Sequence, residues 1–168
     1  MDANGNPVVI EIDESKYFHR KYHRGQWREG HWVFVGIEHN TGKCFLAELP
    51  DRTAATLEPL IRHHILPSYH IICDDWPPYA NIDQIGGGIH LHSVIVHQQH
   101  FVDPDDPDIH TKNIKNIWIC TKRKLRRQFG TFLDLFSSYL HEFLLCIRFR
   151  EEGMFLAMLR IIADNYSL

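Results

Sequence analysis

The sequence predicts one α/β domain: a mixed five-stranded sheet with helices on both faces and a helical C-terminal end. Three observations carry this. Five short apolar runs have the length and alternation of strands. The first three follow one another as a hairpin meander, and the later ones alternate with helical or turn segments, an order that gives a mixed sheet with helices packed on it. Three segments of helical period then close the chain. A length of 168 residues with 44% apolar content suits a single domain over 1–168, with its core at about 8–150.

Val8–Asp13 is the first strand, and Lys16–Arg28, polar, basic and aromatic, is a loop or an extension of it. His31–Glu38 is the second strand; His39-Asn40-Thr41-Gly42 is a tight hairpin signal, and Lys43–Leu49 is the returning strand. Asp51 or Thr53 caps a helix running to about Ile65, with Ala54, Leu57, Leu60, Ile61 and Ile65 at helical spacing. Ile71–Asp74 is the fourth strand, stopped by Pro77-Pro78, with a short helical turn near Tyr79. Gly86-Gly87-Gly88 is a flexible break before a fifth strand at Ile89–Val96, and 101–111 is a polar loop. The closing helices begin with Asn113–Phe129, apolar at Ile114, Ile117, Trp118, Thr121 and Leu125. A second, capped by Thr131, carries the stripe Phe132, Phe136, Tyr139, Leu140, Phe143 and Ile147. Phe155, Met158, Leu159 and Ile162 mark the last. All these aromatic residues are expected in the core.

A net charge of −3 excludes a generally basic nucleic-acid coat, but the charge is unevenly spread. Segment 112–127 holds Lys112, Lys115, Lys122, Arg123, Lys124, Arg126 and Arg127 and no acid, whereas 102–108 holds Asp103, Asp105, Asp106 and Asp108, expected in a solvated acidic turn. Cys44, Cys73, Cys120 and Cys146 form no Cys-x-x-Cys pair, which argues against a zinc ribbon and against a disulfide framework. No apolar leader opens the chain and no window approaches a membrane span, so a cytoplasmic or nuclear protein with no membrane partner is expected. Thirteen histidines include His63-His64 and His90, His92, His97 and His100; the strand period sets His90 and His92 on one face, expected to meet solvent rather than a transition metal.

Two of the strands end on aspartate, at Asp13 and Asp74. Paired carboxylates on neighbouring strands are suited to holding Mg²⁺ for phosphodiester chemistry. The element order is that of the RNase H-like fold, in which the first and fourth strands lie side by side at the sheet centre. Asp13 and Asp74 are then expected within metal-bridging range.

Particular segments extend this to a family. They are Glu11–Ser15, Lys21–Gly25, Trp32–Glu38, Thr41–Phe45, Pro50–Thr53, Ile71–Asp74, His100–Pro104, His110-Thr111 ahead of Ile114 and Trp118, Lys122–Arg127 and Tyr139–Phe143. In this order, from Val9 to about Arg150, the chain resembles the DDE transposase domain of the ISXO-type bacterial insertion sequences and the eukaryotic Merlin elements. The resemblance implies metal-dependent DNA strand cleavage and transfer with Mg²⁺ or Mn²⁺ in a two-metal site. Asp13 and Asp74 are the implied metal ligands and, with Lys122, the implied catalytic residues. DNA, as transposon ends and target, is the implied partner, contacted by Lys122, Arg123, Arg126 and Arg127, with homo-oligomers acting on paired ends. Relatives carry an N-terminal DNA-recognition region, and with twelve residues before Asp13 the chain is expected to be at most the catalytic core.

The family segment reads approximately His-Thr-x-x-Ile-Glu-x-x-Trp, with a lysine seven residues beyond the glutamate. Here it is His110-Thr111-Lys112-Asn113-Ile114-Lys115-Asn116-Ile117-Trp118, followed by Lys122. The third metal ligand is therefore replaced by Lys115, a donor with no lone pair when charged. At about 5 Å and an effective dielectric of about 20, its charge costs on the order of 6 kcal/mol against a divalent ion before relaxation and screening. Neither Asp75, expected on the opposite face, nor Glu11, a polar neighbour of Asp13, replaces it. The sequence thus predicts an impaired transposase-type domain, or else a catalytically dead domain kept for binding DNA or protein, or a relic of the element.

Overall fold

The computed structural model describes residues 5–18, 30–85, 91–95, 109–127 and 133–166. Five strands form one sheet in the order β3-β2-β1-β4-β5: β1 (Val9–Tyr17), β2 (His31–Glu38), β3 (Cys44–Leu49), β4 (His70–Asp74) and β5 (Leu91–Ile95). The hairpin-linked pairs β1–β2 and β2–β3 are antiparallel, and β1–β4 and β4–β5 are parallel. Parallel neighbours need a crossover, which α1 (Ala54–His64) supplies between β3 and β4. The mixed sheet with helices on both faces is as the sequence predicts.

Each face of the sheet has its own core. Ile10, Ile12, Phe34, Ile71 and Cys73 pack with Leu57, Ile61 and Ile65 of the α1 segment. On the other face Tyr17, Val33, Val35 and Ile37 pack under α2 (Lys112–Arg127) and α3 (Phe136–Arg148). The predicted apolar face of α2, Ile114, Ile117, Trp118, Thr121 and Leu125, is buried in full. Two glycines serve geometry. Gly42 turns the β2–β3 hairpin at φ +65°, and a Cβ on Gly36 would meet the Phe45 ring at 2.3 Å.

Four expectations need correction. β1 continues four residues beyond Asp13, because Glu14–Tyr17 go on pairing with β2 as far as Tyr17↔His31; Asp13 is mid-strand, not at a strand end. The α1 N-cap Thr53 makes no side-chain cap bond; its N–H and hydroxyl both donate to Asp51 Oδ1, at 2.9 and 2.7 Å. His92 does not face open solvent: it is half-buried with Nε2 3.0 Å from Cys73 Sγ, and burial holds its pKa below the usual histidine value. The last helix, α4 (Met154–Asn165), is not core: Phe155 is 73% exposed, and Met158, Leu159 and Ile162 are exposed too. Lys21–Gly25, Gly86–Gly88, His90, His97, His100–Pro104, Asp103, Asp105, Asp106, Asp108 and Thr131 lie outside the described residues. Among the described residues no helix is long and apolar enough to cross a membrane.

Burial separates two phenylalanines. Phe136 is fully buried, against the rings of Tyr17, Phe18 and His31. Phe136→Ala is expected to cost about 3–5 kcal/mol in urea unfolding. Phe155→Ser is expected to stay within about 0.5 kcal/mol.

Candidate active site

Helix α2 lies along β1, and the two elements keep step. Two strand residues advance about 6.6 Å and four helical residues about 6 Å, so alternate β1 side chains meet successive helical turns. Glu11 accepts the Ile114 N–H at 2.8 Å, Asp13 Oδ2 accepts the Trp118 indole N–H at 2.9 Å, and Lys122 donates to Ser15 Oγ. The buried Trp118 ring thereby gives its one donor a partner and fixes the Asp13 carboxylate. Asp13 Oδ1 accepts the Glu14 N–H at 2.8 Å. Each oxygen keeps a lone pair beyond these bonds.

Asp74 stands beside Asp13. The β1–β4 ladder pairs Val9↔His70, Ile10↔Ile71 and Glu11↔Ile72, and ends two residues short of Asp13 and Asp74. The Asp13 carboxyl points to the α2 side, where Trp118 holds it, and the Asp74 charge is near enough to help raise its pKa. Burial is the main force raising the Asp13 pKa to about 7, helped by Glu14 and Asp74 and opposed by the Trp118 bond. Asp74 is raised as well, first by burial, then by Glu14 and Asp75, and its Oδ1 is buried with no hydrogen-bond partner. Two crowded, desolvated carboxyls, one with an unsatisfied oxygen, are an arrangement that a divalent cation stabilises.

The Asp13 shift has a measurable consequence. The folded state binds its proton more tightly than the unfolded chain does. This stabilisation is therefore full below the unfolded pKa near 3.8 and is lost as pH rises through about 7. In metal-free buffer, Asp13→Asn is expected to raise Tm more at pH 8 than at pH 5, relative to wild type.

Glu14 points to the other face and is tied down. Arg52 Nη1 donates to Oε1 at 3.1 Å and the Tyr79 hydroxyl to Oε2, while the Arg52 guanidinium sits 4.0 Å from the Trp32 ring centroid and 4.3 Å from that of Trp76. This clamp was missed in the sequence; the clue is a Trp-Arg-Trp set spread over three elements, which no local pattern joins.

Lys115 is half-buried in the first turns of α2, three residues before Trp118 and so on the same side of the helix. The nearby Asp75 is exposed beyond the end of β4. Lys122 does not project freely: its ammonium is 5.3 Å from the Tyr17 ring centroid and 5.6 Å from that of Trp118. Arg123, Arg126 and Arg127 are exposed and, with Ile119, line an open hollow of about 410 Å³. Lys124 instead pairs with Glu142 of α3 at 2.8 Å.

Glu11 is more than a polar neighbour of Asp13. It is fully buried, and four groups converge on it: the Ile114 N–H, Asn113 Nδ2 at 2.8 Å, His39 Nε2 at 2.6 Å and His110 Nδ1 at 3.3 Å. It does for α2 what a cap residue does, from a distant strand, and its charge suits the positive end of the helix. Only its position on the Asp13 face was readable from the sequence.

Among solved structures, the catalytic core domain of BIV integrase is similar at TM-score 0.55 and 14% identity, over 84% of this chain and 83% of that one. The simian T-cell lymphotropic virus intasome gives 0.54 and 14%, over 84% of this chain and 48% of that one. The HTLV-2 integrase catalytic core domain, solved in complex with magnesium, gives 0.50 and 14%, over 84% of each chain. At these identities the likeness concerns the fold, which is RNase H-like. No curated protein matches the chain. The ISXO2-like transposase domain model matches residues 2–152, and with nearly the whole chain covered, the protein belongs to that family.

Proposed function

We propose that this domain is a transposase-type DNA-binding module that holds one divalent ion, Mg²⁺ or Mn²⁺, between Asp13 and Asp74 and does not complete strand cleavage. The observation that carries this reading is the pairing of two ion-ready carboxylates with a lysine, Lys115, where the family has its third acidic ligand. The donor set suits one hard cation: Asp74 Oδ1 is unsatisfied, and Asp13 is oriented by Trp118 with lone pairs to spare. The second ion of a two-metal site would lose its own carboxylate and meet an ammonium instead. In such sites, bound metal activates the attacking water or 3′-hydroxyl and stabilises the leaving oxygen. The chain's own contribution is positional: Trp118 fixes Asp13, the Arg52–Tyr79 clamp fixes Glu14, and Lys122 braces α2 on Ser15.

Arg123, Arg126 and Arg127 supply the DNA contact, because they are exposed together on α2, whereas Lys122 is partly spent on β1. Phosphate contact of this kind is sequence-tolerant and falls steeply with salt. The test is duplex DNA binding by wild type and by R123E/R126E/R127E across a salt series. Binding that weakens as salt rises, with a shallower slope and at least about tenfold lower affinity in the variant, supports the reading. Equal, salt-insensitive binding by both would sink it. Retention as a DNA-binding domain without cleavage, like the present reading, fails if wild type nicks DNA.

A further inference from the structure

We propose that Glu11, His39 and His110 form a second metal site, separate from the Asp13–Asp74 pair, that takes one zinc-like divalent ion. The three residues come from β1, the β2–β3 turn and the segment leading into α2. One ligand atom from each lies within 4.8 Å of the others. Glu11 is fully buried and the two imidazoles are mostly so, at 13% and 19% exposure, with rings stacked 4.9 Å apart.

Ordinary hydrogen bonding does not account for the contacts. His39 Nε2 is 2.6 Å from Glu11 Oε1, yet the pair lacks hydrogen-bond geometry and the buried nitrogen makes no other hydrogen bond. A nitrogen and an oxygen 2.6 Å apart that share an ion at about 2.1 Å must each point about 50° away from the line joining them. His110 Nδ1 accepts the Lys112 N–H at 3.4 Å, so it carries a lone pair, and that nitrogen is also 3.3 Å from the same carboxylate oxygen. A lone pair on His110 Nδ1 facing a carboxylate oxygen suits a cation between them.

The surroundings have the form that metal ligands need. Glu11 Oε2 is held by the Ile114 N–H and Oε1 by Asn113 Nδ2, outer bonds that fix the carboxylate and leave it a free lone pair. One carboxylate and two imidazoles make a borderline-soft set with a fourth position for water, which favours zinc over magnesium. Ligands about 2.1 Å from a tetrahedral ion are about 3.4 Å apart, so small side-chain shifts close the site. An ion here pins the start of α2 to β1 and to the hairpin turn.

The test is a zinc titration of the metal-stripped full chain against a chromophoric chelator, with Tm read in zinc and in EDTA. Wild type is expected to take one tight equivalent and to gain Tm. His39→Gln and His110→Gln are expected to bind about 100-fold more weakly and to lose that gain, while Asp13→Asn/Asp74→Asn keeps both. Equal tight binding by His39→Gln/His110→Gln, or loss of it in Asp13→Asn/Asp74→Asn, overturns the proposal. Should the glutamine variants fail to fold, X-ray absorption of wild type with one zinc equivalent decides: two imidazole ligands support the site, and an oxygen-only shell refutes it.

Discussion

Lys115→Glu is expected to convert a one-ion site into a two-ion site. Mn²⁺ titrated into wild type should fill one position that is lost in Asp13→Asn. The variant should fill two such positions, the first at least about tenfold more tightly, equivalent to about 1.4 kcal/mol. The substitution replaces an ammonium with two acceptor oxygens on the helical side that carries Trp118, the donor to Asp13. It therefore removes a repulsion and supplies a ligand at once. Metal-dependent nicking of supercoiled DNA should then rise above the wild-type level. Unchanged Mn²⁺ affinity would mean that position 115 does not face the ions.

Glu11→Gln is expected to be among the most destabilising single changes in the chain, at about 3 kcal/mol or more, because it breaks a buried, multiply bonded carboxylate. For a domain of this size that is a fall in Tm of about 6–12 °C. The amide keeps the shape but offers an N–H₂ to groups that are themselves donors, the Ile114 N–H and Asn113 Nδ2. Thermal unfolding in EDTA isolates this term from any bound ion. A Tm within about 2 °C of wild type would show that α2 holds its place without Glu11.

Much of the fold was readable because it rests on local pattern. The bounds of β2 follow from a continuous apolar run closed by a turn signal, and the buried face of α2 follows from period 3.6. Element order also sets strand order, and β1 and β4 are neighbours in the sheet as that order requires. What was not readable depends on contacts far apart in the chain. Of the two readings of Lys16 and Tyr17, loop or strand extension, pairing with β2 selects the extension. Glu11, like any strand glutamate, gives no local sign that an N–H 103 residues later will bind it. The apolar residues of α4 obey helical period, yet in this structure only Ala157 is buried. Period reports which face could be covered, not whether a surface covers it.

With two acidic positions kept and Lys115 proposed at the third, the deciding measurement is nicking of supercoiled plasmid by wild-type protein in Mn²⁺, with Asp13→Asn as the blank. No nicking above that blank is expected. Metal-dependent nicking by wild type that disappears in Asp13→Asn would show instead that the site is complete with Lys115 in place.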